Sequence, residues 1–193
     1  MTTYLELQDE VEDVLDDTSI NVKSYINRAL DYVSNFFPNV VIDDTAISSD
    51  GMSMDVPDRT FEVVSIMIND EFIKELEDVA KEETAIKLGV QRWHSTNTKI
   101  YFTVIVKTTD DLKITFEQSY KRLTNDADVT DVPKYIEPLV IACAVWMYYK
   151  KITSAVDTNR EKYADVDPDE IRRARDACKK EFNQMLSDLR LEN

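Results

Sequence analysis

Glycine occurs only twice and proline only five times in 193 residues. That excludes collagen-like, Gly-rich and Pro-rich architectures, and it leaves no Gly-rich loop to cradle a nucleotide phosphate. Cysteine is equally scarce. Cys143 and Cys178 each stand beside alanine in a helical pattern, whereas a zinc site needs paired Cys/His ligands at short spacing. Both read as buried free thiols. The single histidine, His94, lies beside Trp93 with no nucleophile-elbow pattern around it, so a half-buried or surface ring is the plainer reading than a triad. Cations are the minority, 23 Lys and Arg against 38 Asp and Glu, for a formal charge of -15. Such a surface repels phosphate backbones and anionic lipids, which argues against groove-reading DNA recognition. The chain opens without a basic segment leading into an apolar one, which predicts synthesis in the cytoplasm without a secretory leader. Its longest apolar run, residues 139–149, is shorter than the roughly 20 residues that span a bilayer. It predicts a core helix and no membrane partner.

What is present is 43% hydrophobic and 32% charged residues, enough apolar matter for one sizeable core or two small ones. Residues 3–17 read as an acidic amphipathic helix, with Thr3 and Glu6 as a capping box and Leu7, Val11, Val14 and Leu15 at helical spacing. A second helix places Val22, Tyr25, Ile26, Ala29, Leu30, Val33, Phe36 and Phe37 on one stripe and ends at Pro38. The two form a hairpin joined near Asp17, Thr18 and Ser19. From Val40 the period changes to two. Residues 40–42, 60–68, 99–107 and 112–118 read as strands of one small antiparallel sheet, with tight hairpins at Asn69-Asp70-Glu71 and at 108–111. A short helix at 78–88, closed by Gly89, falls between them.

After a polar, acidic loop at 123–133 comes the apolar helix, its regular part beginning near Glu137 or kinked at Pro138. The last helix opens on Asp167-Pro168-Asp169-Glu170, an N-cap, a proline and a capping-box glutamate. Ile171, Ala174, Cys178, Phe182, Met185, Leu186 and Leu189 supply its apolar face. The layout is α+β and mainly helical: a four-helix core built from both chain ends, with a small antiparallel β lobe inserted between the second helix and the long apolar helix. Residues 1–38 form the N-terminal hairpin, 39–122 the sheet with its short inserted helix, and 123–193 the C-terminal helices that pack on the hairpin.

Asp126 and Asp128 are the candidate metal ligands, since spaced carboxylates suit Ca²⁺ or Mg²⁺ and Glu137 falls where an EF-hand loop places its last ligand. Asp131 stands where that loop turns on glycine, and Pro133 follows, so an acidic connector that caps the next helix is the competing reading. In the first helix Glu6, Asp9, Glu10, Glu12, Asp13, Asp16 and Asp17 make an outer face of seven carboxylates without a cation. An open face of this kind lacks the cleft that catalytic carboxylates need. Arg172, Arg173, Arg175, Lys179 and Lys180 are the one dense basic group. Interleaved with Asp169, Glu170, Asp176 and Glu181, it reads as a salt-bridged helix or as a docking surface for an acidic neighbour. No pattern predicts a cofactor.

Tyr25-Ile26-Asn27-Arg28-Ala29-Leu30 in the second helix and the hairpin of residues 63–72 come first along the chain. Ile114-Thr115-Phe116 then leads through Leu123-Thr124-Asn125-Asp126-Ala127-Asp128 to Val132-Pro133-Lys134-Tyr135-Ile136-Glu137-Pro138-Leu139-Val140. In this order of features the chain resembles the head-tail connector, or head-completion adaptor, proteins of tailed bacteriophages. The resemblance implies a non-enzymatic structural protein of the virion neck: a ring, of twelve copies to match a portal, that binds the portal protein and extends the DNA channel. DNA would pass without specific binding, and the ring would present a surface to the next neck or tail protein. Another tail-completion or assembly subunit, and a metal-dependent enzyme using Asp126 and Asp128, are the alternative classes. For the partner interface, opposite charge points to Glu10, Asp13 and Asp17 meeting Arg172, Arg173, Arg175 and Lys179 across neighbouring rings or subunits, with Met185, Leu186 and Leu189 as the apolar alternative.

Overall fold

A computed structural model describes residues 2–16, 21–44, 51–76, 78 and 81–192. In chain order its elements are α1 (Tyr4–Leu15), α2 (Lys23–Ser34), β1 (Asn39–Asp43), β2 (Ser53–Asp55), β3 (Thr60–Ile68), β4 (Glu71–Ile73), α3 (Glu82–Lys87), β5 (Trp93–Ser95), β6 (Lys99–Phe102), β7 (Leu112–Gln118), α4 (Glu137–Thr158) and α5 (Pro168–Glu192). They fall into two compact units. Met1–Phe37 with Tyr120–Asn193 makes a helical unit from both chain ends, and Pro38–Ser119 makes a β unit. The fold is α+β, as the segregation of periods in the sequence implies.

In the helical unit, α1 begins with the expected capping box: Thr3 Oγ1 accepts from the Glu6 N–H, and the Thr3 N–H donates to Glu6 Oε2 at 2.7 Å. Tyr4, Leu7 and Val11 are buried, but Val14, expected on the same stripe, is 61% exposed. It lies at the rim of a groove, where no described element covers it. Glu12, expected on the outer face, is buried instead, one turn beyond Gln8, whose Nε2 donates to it at 2.7 Å. The residues expected to join α1 to α2, Asp17, Thr18 and Ser19, lie outside the described residues. α2 buries Tyr25, Ile26, Ala29, Leu30 and Val33, and the chain leaves it in a turn before Pro38.

Pro138 causes no kink in α4, because it sits in the first turn, where the missing N–H has no helical acceptor in any case. The helix runs well beyond the apolar stretch, to Thr158. By length and composition it is the one described helix long and apolar enough to cross a membrane. Its Leu139, Val140, Cys143, Ala144 and Val145 are buried, and it packs against α1, α2 and α5. α5 starts as predicted, with Asp167 Oδ1 accepting from the Asp169 N–H at 2.9 Å. Phe182 is its fully buried anchor, stacked on Trp146 at 5.6 Å. Cys143 is buried, but Cys178, expected to be so, is only half-buried on the side of α5 that meets a groove.

The β unit contains two sheets where the sequence suggested one: β1-β7-β3-β4 and β2-β6-β5, all pairs antiparallel. The strand expected over 99–107 stops at Phe102. At Thr103 the hydroxyl donates to Val90 O at 2.7 Å and accepts from the Arg92 N–H at 2.8 Å, so the chain leaves the ladder. The turn after it therefore passes between sheets and closes no hairpin. The Asn69-Asp70 hairpin is present, and both residues have positive φ (53° and 64°), the geometry of a type I′ turn. Of the helix expected over 78–88, α3 is present and Gly89 ends it at φ 64°; residues 79 and 80 lie outside the described ones. His94 is a half-buried ring stacked on Tyr101 at 5.0 Å, beside a Trp93 whose Nε1 donates to Ile73 O.

Candidate interaction site

The segment after β7 runs along α2 as a strap, pinned at three places. The Tyr120 N–H donates to Ser34 Oγ at 3.0 Å, Arg122 pairs with Asp31 at 2.6 Å, and Leu123 is gripped by Asn27. Asn27 Oδ1 accepts from the Leu123 N–H at 2.8 Å, and its Nδ2 donates to Leu123 O at 2.9 Å and to Tyr4 Oη at 3.2 Å. One amide thus joins α1, α2 and the strap. The strap then passes under the start of α1, where Asp128 O and Asp126 O accept from the Tyr4 and Leu5 N–H groups at 2.8 and 3.1 Å. These are among the N–H groups a helix start leaves without internal partners.

That arrangement settles what the two aspartates touch. Asp126 is paired with Lys23 on α2. Asp128 Oδ2 accepts from the backbone N–H groups of Thr124 and Asn125 and from the Thr124 hydroxyl, at 2.7, 2.9 and 3.0 Å. These donors, Asn125 and Thr124 N–H foremost, hold the Asp128 carboxyl well below the usual carboxylate range. Burial first, then the charges of Asp126 and Asp128, push the Tyr4 phenol up to about 12. Among the described residues no group of three or more carboxylates, His or Cys is placed to hold a metal ion. The connector works on the start of α1, through backbone carbonyls, and not as a cap of α4.

Of the residues expected at an interface, Glu10 and Asp13 line a groove of about 380 Å³ between α1, α4 and α5, together with Glu181. Asp17 lies outside the described residues. The arginines of α5 are engaged within the chain: Arg172 with Asp157 at 2.6 Å and Asp169 at 3.1 Å, Arg173 with Asp167 at 4.0 Å, and Arg175 with Asp176 at 2.7 Å. Lys179 is exposed. Met185, Leu186 and Leu189 are half-buried against the helical core, with Met185 also on the groove floor. The structure thus brings Glu10, Asp13 and Met185 to one place, and commits the arginines elsewhere.

A second groove, of about 600 Å³, has no counterpart in the sequence reading. It lies between α2 and α4 and is lined by Arg28, Lys150 and Lys151, with Tyr32 and Met147 as its apolar part. Lys150 sits over Trp146 and Lys151 over Tyr25, each 5.5 Å from the ring centroid. Two adjacent lysines directly after the apolar run were the available signal. Their meeting with Arg28 depends on how α2 packs on α4, which no local pattern shows.

Comparison with known families gives a match over residues 2–193 to the model described as SU10 adaptor protein. No curated protein matches the chain.

Proposed function

The chain belongs to the SU10 adaptor protein family, phage structural adaptors of the head-tail junction, and from that premise we propose that it forms a ring joining the capsid portal to the neck or tail. The observation that carries this reading is the extent of the match, which runs through both units and both chain ends. The charge supports it. A net charge of -15 keeps a channel-forming chain from gripping the DNA that passes it, because phosphate contacts strengthen with each Lys or Arg placed along the bore. The engagement of Asp126 and Asp128 in holding the strap favours this structural reading over a metal-dependent one. Twelve copies would match a portal of that number.

The test is the stoichiometry and position of the protein in assembled particles. Cryo-electron microscopy of particle necks, with quantitative mass spectrometry of the same particles, should find a ring of this chain directly against the portal. One copy per particle, or a ring that meets only tail proteins, overturns the reading, and the latter outcome makes the chain a tail-completion subunit.

A further inference from the structure

Two grooves of the helical unit that share α4 carry opposite charge. Among the described residues, the groove between α1, α4 and α5 has three carboxylates, Glu10, Asp13 and Glu181, around an apolar floor, and no Lys or Arg lines it. The groove between α2 and α4 has three cations, Arg28, Lys150 and Lys151, and its one carboxylate, Asp31, is held by Arg122. On α4 the first groove uses positions 138, 141, 142 and 145, and the second uses 147, 150, 151 and 154. Each set is the other displaced by nine residues, about two and a half turns and about 13 Å of rise. The odd half-turn puts the two grooves on opposite sides of one helix. A chain therefore cannot bring its own two grooves together.

We propose that these grooves are the two halves of a head-to-tail contact between copies of this chain, the Glu10–Asp13–Glu181 groove of one copy receiving the Arg28–Lys150–Lys151 face of the next. This rests on the ring reading above and assigns its subunit interface. Two different patches on opposite sides of a subunit make a heterologous contact, which closes into a ring when its rotation permits. A two-fold contact through either groove would set like charges against each other, whereas the head-to-tail one neutralises both sets. Apolar surface accompanies the charge on each side: Val14 stands 61% exposed at the acidic rim, and Tyr32 is exposed at the basic one. The α5 arginines are not the cations of this contact, because they already have carboxylate partners in their own chain.

Charge reversal on the full-length chain tests it, read by sedimentation velocity and native mass spectrometry at low salt. Glu10→Lys with Asp13→Lys, and separately Lys150→Glu with Lys151→Glu, change exposed side chains, and circular dichroism confirms that the fold is kept. Each reversal alone should raise the concentration needed for assembly by roughly tenfold or more. An equimolar mixture of the two variants should assemble again, because every contact in an alternating ring then faces opposite charge. Association that neither reversal weakens, or two weakened variants that stay apart on mixing, overturns the pairing of these faces and leaves the ring reading standing. A wild-type chain that stays monomeric at millimolar concentration in low salt overturns this contact as a self-sufficient one, while the ring reading stands or falls separately on the copy number and position of the chain in particles.

Discussion

At Asp128 a half-buried carboxylate has been turned into a backbone organiser, and the consequence is a pH dependence of definite sign. Its N–H and O–H donors favour the ionised form, so its folded pKa lies below the unfolded value of about 3.9. Its contribution to stability is therefore fully present above that unfolded value and is lost as pH falls toward the lower folded one. Asp128→Asn removes the titration. Urea midpoints measured from neutral pH into the acid range should fall less steeply for Asp128→Asn than for wild type. Asn27→Ala serves as the contrast, since Asn27 grips the same strap without titrating. It leaves the N–H and C=O of the buried Leu123 without their amide partner, at a cost of about 1–3 kcal/mol that is the same across this pH range. Parallel acid limbs for wild type and Asp128→Asn would remove Asp128 from this account.

Among the helices, α5 packs chiefly on one neighbour, α4. It is polar around most of its circumference, and its one fully buried side chain, Phe182, enters between Trp146 and Tyr32, 5.6 and 5.9 Å away. Phe182→Ala should cost about 3–5 kcal/mol. Hydrogen exchange should rise along α5 while α2 and α4 remain protected, and uniform loss of protection would show that α5 is no separable layer. The apolar period that identifies Phe182 was legible in the sequence, as were the capping box of α1, the Pro168 start of α5, and the long β-branched strands β3 and β7. Other elements were not. β2 and β5 have three residues each, too few to establish a period, and their place in a second sheet follows from pairing with β6. Val14 and Glu12 exchanged environments for a similar reason, since burial at the end of a short helix depends on which neighbour reaches it. At the candidate site Glu10 and Asp13 were readable because they lie one turn apart on α1, while Glu181 joins them, and Arg28 joins the two lysines of α4, only after packing.

At the scale of the whole chain, the β unit is an insertion whose two ends lie side by side. The first residue of β1, Asn39, pairs with the last of β7, Gln118, so residues 38–119 leave and re-enter across one strand spacing, about 5 Å. The helical unit closes its own break: the Tyr120 N–H reaches Ser34 Oγ near the end of α2. Each unit also buries a separate core, around Ile66, Ile100 and Phe116 in one and around Leu30, Leu139 and Cys143 in the other. These are the conditions under which an inserted unit and its host fold independently. Residues 38–119 expressed alone should therefore show β-type circular dichroism and cooperative thermal unfolding. The helical unit with Phe37 joined to Tyr120 by a short Gly/Ser linker should keep its helical signal. Because both charged grooves belong to the helical unit, the linked protein should also retain salt-sensitive association of the full chain. If it folds yet stays monomeric under conditions where the full chain assembles, residues 38–119 carry part of the subunit contact and the grooves alone are insufficient.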